Sequence, residues 1–165
     1  MEKLWSPWRS QYIESFNSGK GKNSCVFCDT INESIEDDKC LKVYEGDKCF
    51  VMLNLFPYNS GHVMVIPKRH LSDFKELCEV EINEVMKTAQ LTMKALESVM
   101  KPQGFNFGAN IGKAAGAGID DHIHFHVLPR WNGDTNFMPA IGEVKVISQD
   151  LIQTKKLLME AFKKL

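Results

Sequence analysis

Residues His122–Trp131 read His-Ile-His-Phe-His-Val-Leu-Pro-Arg-Trp, and the rest of the chain is best understood from this stretch. The three histidines alternate with apolar residues, which is the period of a half-buried β-strand. Because residues i, i+2 and i+4 of a strand project from one face, a strand over 121–128 would align all three imidazoles there. Ile123, Phe125 and Val127 would face a core. A row of imidazoles suits metal ligation, or proton or phosphoryl-group chemistry near pH 7.

The remaining elements follow from turn signals and apolar periodicity. Apolar runs predict four further strands, and two stretches with helical spacing predict a long amphipathic helix and a C-terminal helix. The predicted strands are Leu41–Tyr44, Cys49–Leu53, His62–Pro67 and Phe105–Ala109, and the helices are Leu71–Met100 and about Ser148–Leu165. This order predicts an α+β fold, with an antiparallel sheet of about five strands and the long helix packed on it.

Length and composition favour one domain over residues 1–165, since 44% of the residues are hydrophobic and 25% are charged. We divide it into an aromatic extension and linker (1–23), a core (24–136) and a tail with a helix (137–165). Trp5, Trp8 and Tyr12 are expected to pack on the body or on a partner subunit, because aromatic side chains are costly to leave in water.

Charge and cysteine content narrow the class of protein. A net charge of -1 argues against electrostatic binding of nucleic acid or of a membrane. No signal peptide and no apolar run of membrane-spanning length is visible in the sequence. Five cysteines, an odd number, are unsuited to a disulfide framework, and we therefore expect a reducing cytoplasm.

All five histidines fall in two places. His62 and His70 flank the predicted third strand, and the other three form the row described above. If the third and fifth strands are near neighbours, every histidine of the chain converges on one region. The alternative is that His62 and His70 lie in turns by chance.

A loop of small residues precedes the histidine row. Gly112, Gly116 and Gly118 would let backbone N–H groups approach an anion without obstruction by a Cβ atom. The loop differs from the phosphate loop of nucleotide triphosphatases, because no Gly-Lys-Ser/Thr follows. A glycine-rich loop is more often a plain turn, but one that runs into three aligned histidines indicates an anion site. Asn110 could donate to a phosphate or orient an imidazole.

Cys25-x-x-Cys28 has the spacing of two of the four ligands of a tetrahedral zinc site. Cys40, Cys49 and Cys78 are isolated, so any missing ligands would have to be histidines. Two ordinary buried cysteines or a redox pair are the alternatives. The redox pair lacks the βαβ context of a thioredoxin-like motif.

Together these motifs resemble the histidine triad family of nucleotide hydrolases and transferases. The resemblance covers about Cys25 to Asn136, and it includes His122-x-His124-x-His126 with the small-residue loop before it and Pro129-Arg130 after it. Asn54, 60–63, Pro67 and His70 also match. The opening stretch 4–9 and the stretch 129–138 resemble a bacterial branch that includes diadenosine tetraphosphate phosphorylases.

The resemblance implies an enzyme that cleaves at the α-phosphate of a (di)nucleoside polyphosphate or a nucleoside phosphoramidate. His124 would attack phosphorus and form a nucleotidyl-histidine intermediate, for which neutral imidazole is a suitable nucleophile. His126 would contact the phosphate oxygens and the leaving group, and His62 would orient the triad. A diadenosine tetraphosphate-type substrate and a homodimer are the further expectations.

Further residues acquire roles from the same resemblance. The nucleotide would be bound by the ribose ligand Asn54, the phosphate neighbour Asn110, the loop Gly116, Ala117 and Gly118, and also Leu53, Phe56 and Trp131, with Leu53 and Phe56 covering the base. Structural Zn²⁺ would be held by Cys25, Cys28, His70 and His122. His122 would then be a tether for the strand that carries His124.

One departure from the family pattern is chemically important. Many relatives have a hydroxyl side chain shortly before the triad, whereas this chain has Ala117-Gly118-Ile119. Backbone N–H groups, Lys113 or Arg130 would have to replace that donor. The competing hypotheses are a metallohydrolase, in which all three triad histidines bind one catalytic metal, and a non-catalytic nucleotide-binding module.

Overall fold

The structure is a computed structural model, and it describes residues 25–134 and 150–165. In chain order the helices and strands are α1 (Val26–Ile31), β1 (Lys42–Glu45), β2 (Cys49–Leu53), β3 (Val63–Pro67), α2 (Glu79–Met100), β4 (Gly104–Gly108), β5 (Phe125–Arg130) and α3 (Leu151–Lys163). Short 3-10 turns cover Phe74–Glu76 and Lys113–Ala115. None of the described helices combines the length and apolarity that a membrane span needs.

The five strands form one antiparallel sheet in the order β1-β2-β3-β5-β4, which confirms the predicted α+β class. The predicted neighbourhood of the third and fifth strands is also confirmed. Met64 of β3 is paired with His126 of β5, so His62 lies close to the histidine row. Strand pairing therefore brings the two histidine groups of the sequence together.

Side-chain alternation gives the sheet two buried faces. One face carries Val51, Val65 and Val127, which pack under α2 and α3 in the larger core. The other face carries Met52 and Met64, which pack with Phe27 of α1 in a smaller cluster. Full burial of one such side chain stabilises the folded state by about 1.5–3 kcal/mol. Burial therefore strongly favours the arrangement in which each side chain lies on its observed face of the sheet. The candidate site lies on the smaller face.

The long helix α2 begins later than predicted. Its first turn is closed by a capping box, in which Glu81 Oε2 accepts the backbone N–H of Cys78 at 2.9 Å. Arg69 Nε donates to Glu81 Oε1 at 2.8 Å, and the guanidinium holds the pKa of this carboxyl down at about 2. The predicted start at Leu71 was wrong, because Asp73 caps a separate 3-10 turn first. Leu71 is nevertheless buried in the core.

The predicted start of the fifth strand was also wrong. Regular pairing with β3 begins at Phe125, so His122 and His124 precede β5. β3 ends at Pro67, which has no N–H for a ladder bond, and the N–H of Ile123 donates to the Leu71 carbonyl at 2.7 Å instead. The predicted alternation of core-facing and site-facing residues still holds before β5 begins, because Ile123 is buried in the larger core.

The remaining boundaries of helices and strands agree with the predicted ones to within a few residues, which is a common uncertainty at the ends of such elements. The C-terminal helix begins at Leu151, where the side chain of Asp150 accepts the N–H of Gln153 at 2.9 Å. Ser148 lies outside the described residues, as do Trp5, Trp8, Tyr12 and residues 1–23. The division of the chain into extension, core and tail stays a prediction.

Candidate active site and metal centre

A cavity of about 330 Å³ opens between α1, the smaller face of the sheet and the loop before β5. Its apolar walls include Phe27, Leu41, Met52, Met64 and Ile119. Its polar side chains include Asn54, Asn110, His124 and His126, and the Gly118 backbone also lines it. An apolar cleft with a few convergent polar groups is typical of a small-molecule site.

His124 is held with one ring nitrogen unprotonated. Its Nδ1 lies 2.9 Å from the backbone oxygen of His122, and a carbonyl can only accept, so Nδ1 carries the proton. Nε2 is therefore left with its lone pair. Burial lowers the pKa of His124, which keeps the ring neutral near pH 7. The side chain has the protonation state of a nucleophile.

A chain of hydrogen bonds fixes the opposite tautomer in His126. The backbone N–H of Tyr58 donates to His62 Nδ1 at 3.1 Å, so the His62 proton is on Nε2. His62 Nε2 then donates to His126 Nδ1 at 2.9 Å, which places the His126 proton on Nε2. That Nε2 is buried and has no hydrogen-bond partner among the described residues. A buried donor without a partner beside a cavity suits an oxygen atom of a ligand.

Both members of the pair are held neutral. Burial, with a smaller contribution from the neighbouring imidazoles, lowers the pKa of His62 to about 3 and that of His126 to about 4. His126 therefore presents a neutral N–H donor at physiological pH. It does not carry a positive charge in the free protein.

The structure brings together the four residues that the sequence proposed as metal ligands. Cys25 Sγ lies 3.3 Å from His122 Nδ1, Cys28 Sγ lies 3.3 Å from His70 Nδ1, and Cys28 Sγ lies 3.6 Å from His122 Nδ1. All four ligand atoms lie within 4.8 Å of one another. These residues come from α1, the end of β3 and the approach to β5.

The donor set fits a tetrahedral zinc ion. Bond lengths of about 2.3 Å to sulfur and 2.1 Å to nitrogen place tetrahedral ligands about 3.6 Å apart, close to the distances found here. His122 Nε2 donates to the Pro67 carbonyl at 2.9 Å, so Nδ1 offers its lone pair to the cluster. Burial raises the pKa of Cys25 to about 11, and a bound cation would reverse that shift.

One residue, His122, connects the metal cluster (Cys25, Cys28, His70 and His122, which could hold a metal ion) to the cavity. The ring of His122 belongs to the cluster, whereas its backbone carbonyl holds His124 Nδ1–H. The ring of Phe27 separates the two regions, with centroids 5.4 Å from His122 and 5.0 Å from His124. Any shift of the cluster would move the acceptor that sets the tautomer of His124.

The proposed nucleotide-binding residues are only partly brought together. Asn54, Phe56, Asn110 and Gly118 line the cavity. The Asn54 side-chain oxygen already accepts the N–H of Phe56 at 2.9 Å, and its nitrogen lies 3.3 Å from His62 Nδ1. This arrangement ties Asn54 to the same hydrogen-bond chain that orients His126.

Leu53 requires a correction. It is fully buried in the larger core under the helices, so it cannot cover a base in the cavity. Its neighbour Met52 projects to the other face of β2 and lines the cavity. Gly116, Ala117 and Trp131 are not among the residues that line this cavity. Gly112 and Gly116 adopt positive φ, so the loop does use glycine for its backbone turn.

Arg130 does not line the cavity and bonds to other residues of the protein. Its Nε and one terminal nitrogen form a bidentate pair with Asp134 at 2.6 and 2.8 Å, and the other donates to Asn106 at 2.7 Å. Asp134 also accepts from Asn59 at 2.8 Å. The guanidinium thus links the end of β5 to the turn that carries Tyr58. Lys113 lies 3.6 Å from Asp120 with a largely exposed side chain.

Sequence reasoning missed several residues at the cavity. The backbone N–H of Tyr58 sets the tautomers of His62 and His126, yet no side-chain pattern marks a main-chain group. Glu33 and Lys39 also line the cavity. They belong to a charged stretch, 33–39, whose composition is typical of an ordinary surface loop.

The fold and the site define a small α+β protein in which a buried row of histidines contributes one ring to a cluster that could hold a metal ion and two rings to a largely apolar cavity. The chain belongs to the histidine triad family, because the HIT domain matches residues 36–133. The family resemblance seen in the sequence is thereby confirmed.

Known proteins extend this match over nearly the whole chain. An AP-4-A phosphorylase from Mycobacterium tuberculosis is 38% identical over 161 residues, which cover 96% of this chain and 83% of that protein. A Zn-bound histidine triad family protein from Mycobacterium smegmatis has a TM-score of 0.69 at 28% identity, covering 87% of this chain and 96% of that one. A hypothetical histidine triad nucleotide-binding protein from Sulfolobus tokodaii also gives 0.69, at 30% identity, covering 86% and 93%.

Proposed function

We propose that the protein is a nucleotide hydrolase or nucleotidyl transferase that cleaves at the α-phosphate through a nucleotidyl-histidine intermediate on His124. The observation that carries the proposal is the tautomer of His124. Its Nδ1 proton is held by the His122 carbonyl at 2.9 Å, and its Nε2 lone pair is left for the α-phosphorus. The cavity that His124 lines is large enough for a nucleoside.

The first step forms a bond between His124 Nε2 and the α-phosphorus and breaks the bond from phosphorus to the leaving-group oxygen or nitrogen. The leaving group departs with the electron pair of the broken bond. Because Nδ1–H is hydrogen-bonded to a carbonyl, the positive charge that develops on the ring is stabilised there. A water molecule or inorganic phosphate then attacks phosphorus and releases His124 with its lone pair.

His126 stabilises negative charge during both steps. Its neutral Nε2–H is buried without a partner among the described residues, and an oxygen of the phosphate or of the leaving group would satisfy it. The backbone of Gly118 lines the same cavity and supplies part of the cradle that the loop hydroxyl supplies in relatives. His62 acts through His126 by fixing its tautomer.

We further propose that Cys25, Cys28, His70 and His122 hold a structural zinc ion. Four protein ligands leave no open coordination position, which is the arrangement of a structural rather than a catalytic site. The zinc-bound relative from Mycobacterium smegmatis supports this assignment. When bound, zinc would neutralise the thiolates and fix the segment before β5. The catalytic work is left to His124 and His126.

A diadenosine tetraphosphate-type substrate is the proposal for the reaction itself. It is supported by the relative from Mycobacterium tuberculosis, whose name specifies AP-4-A phosphorylase and whose match covers 96% of this chain. Both a hydrolase and a phosphorylase use the same first step on His124. They differ only in whether water or inorganic phosphate completes the reaction.

The geometry disfavours the metallohydrolase alternative. Among the described residues, the cluster that could bind a metal contains His122 and neither His124 nor His126. The Nδ1 atoms of those two rings are engaged by a carbonyl and by His62. The non-catalytic alternative would need a cavity that binds nucleotide without using the free His124 Nε2.

The decisive experiment is His124→Ala, with bound zinc and turnover of diadenosine tetraphosphate and an adenosine phosphoramidate measured on the same preparation. We expect turnover to fall by about a thousandfold or more, with zinc content unchanged. Loss of zinc would instead support the metallohydrolase. A wild-type protein that binds AMP but turns over neither substrate would support the binding module. Lys75→Ala, at an exposed residue outside the described cavity lining, serves as the control.

A homodimer built on the β4 edge is the proposal for assembly. β4 lies at the end of the sheet order and, among the described residues, is paired with β5 alone, so its outer edge has no partner strand in that part of the chain. Phe107 on β4 is an exposed apolar side chain. Sedimentation equilibrium should show a dimer for the wild type and a monomer for Phe107→Asp. A monomeric wild type would refute the proposal.

A further inference from the structure

Two charged side chains, Glu33 and Lys39, line the cavity in addition to its neutral polar groups and its apolar walls. Glu33 and Lys39 line it together with apolar side chains such as Phe27, Leu41 and Met64. Both charged residues are exposed, and neither forms an ion pair with another described residue. Their charges are available to a ligand in the cavity.

The position of Glu33 relative to His124 follows from helix α1. The start of α1 lies by the histidines, with the ring of Phe27 5.0 Å from that of His124. Glu33 follows the other end of the helix, where its N–H donates to the Thr30 carbonyl at 3.1 Å. A six-residue helix is about 9 Å long, which is close to the length of a nucleoside from its 5′ oxygen to the far edge of its base.

Lys39 lies at the same end of the cavity. It directly precedes the buried Cys40 and the first strand, and Lys42 Nζ from that strand donates to the Ile31 carbonyl at 3.0 Å. This bond ties the entry of β1 to the carboxyl end of α1. Glu33 and Lys39 therefore lie by the carboxyl end of α1, whereas His124 lies by its amino end.

The two residues offer different hydrogen-bonding groups. A carboxylate only accepts, whereas an ammonium only donates. The Thr30 hydroxyl donates to the Val26 carbonyl at 2.9 Å, so its oxygen can only accept from a ligand. The Glu33 carboxylate also lies close to a buried thiol: burial, and then this carboxylate, raise the pKa of Cys40.

Building on the function proposed above, we infer that the Glu33 carboxylate accepts a hydrogen bond from the 6-amino group of adenine and that Lys39 donates to the adjacent ring nitrogen N1. The cavity would then select adenine nucleotides. Hypoxanthine and guanine carry a carbonyl oxygen where adenine carries its 6-amino group, and a carboxylate repels that oxygen. The apolar walls would contact any of these purines alike, so the selection falls to Glu33.

Titration calorimetry with AMP and IMP on the zinc-loaded protein tests this inference. These ligands differ in that the 6-amino group of adenine is a carbonyl in hypoxanthine. A hydrogen bond to a charged acceptor is stronger than one to a neutral acceptor, so Glu33 should distinguish the two ligands. We therefore expect AMP to bind about tenfold more tightly than IMP to the wild type, and the two to bind within about twofold to Glu33→Gln.

Glu36→Gln is the matched control, because it makes the same charge change three residues away and Glu36 does not line this cavity. It should keep the tenfold preference for AMP. Equal binding of AMP and IMP by the wild type would overturn the inference about Glu33 and leave the proposed function standing. A preference for AMP that persists in Glu33→Gln would overturn it in the same way. Failure of both ligands to bind would overturn both proposals.

Discussion

His122 and His124 are identical side chains two residues apart, and the structure gives them opposite chemistry. Each ring donates one N–H to a backbone carbonyl, but His122 uses Nε2, to Pro67, and His124 uses Nδ1, to His122. The free lone pair is therefore Nδ1 in the first ring, facing Cys25 and Cys28, and Nε2 in the second. The choice of carbonyl partner, more than the residue type, determines which histidine can bind metal and which can attack phosphorus.

The largest effect is expected from Cys25→Ala, which removes one of the four proposed zinc ligands. Zinc should be lost, and at a free zinc concentration a thousand times the dissociation constant this costs about 4 kcal/mol of stability. Turnover should fall as well, because the segment that positions the His122 carbonyl is released. Atomic absorption, thermal unfolding and steady-state kinetics measure the three changes. Cys78→Ser, at an exposed cysteine outside the cluster, keeps a capping side chain for α2 and should change none of them.

If Cys25→Ala released zinc and left turnover intact, the proposed link between the cluster and His124 would be broken. A wild-type protein that contains no zinc and gains no stability from added zinc would refute the structural zinc site itself. In either case, zinc binding at His122 would not be what positions His124 for catalysis.

A smaller effect, confined to the cavity side, is expected from His126→Phe. This change removes a donor placed for the developing negative charge, which costs about 100- to 1000-fold in kcat. Zinc content should be unchanged, because His126 lies outside the metal cluster. His126→Gln keeps an N–H donor and should recover part of the loss. Loss of zinc in either variant would contradict the separation of the two regions.

The smallest effect concerns the dependence of stability on pH. Burial holds the pKa of His62 at about 3 and that of His126 at about 4, below the ordinary histidine value near 6.5. Between those values the unfolded chain binds more protons, so stability is present above pH 6.5 and is lost as the pH falls. Each histidine contributes a slope of at most about 1.4 kcal/mol per pH unit.

Urea denaturation of the zinc-loaded protein at pH 7, 6 and 5 measures this slope. His126→Gln should flatten it, and any effect of acid on the metal cluster is common to both proteins and cancels in the difference. Identical slopes for the wild type and the variant would show that His126 is not held neutral by burial.

Much of the fold was predictable because its determinants are local. The alternation of histidine with Ile123, Phe125 and Val127 indicates which residues face the core, and all three are buried there. Strand positions and the long helix follow from similar periodicity. The exact start of β5 was not predictable, because it depends on Pro67, a residue of another strand that cannot donate to the ladder.

The face of β2 could not be read from its sequence. Cys49–Leu53 is apolar at all five positions and buried at all five, so alternation does not distinguish Leu53 from Met52. Pairing with β3 and packing under α2 decide that Leu53 faces the core. Similarly, Arg130 has a suitable charge for a phosphate, but the bidentate bond to Asp134 and the bond to Asn106 engage its nitrogens.

The order of residues specifies the inventory and spacing of the chemical groups: the Cys25-x-x-Cys28 pair, the alternating histidines and the small-residue loop. These patterns are local, and local patterns are set by the geometry of helices and strands. The role of each ring, in contrast, depends on contacts that form on folding. The partners that fix the His122 ring are Pro67, 55 residues away, and Cys25, 97 residues away. A tautomer depends on such contacts, and folding alone brings them together.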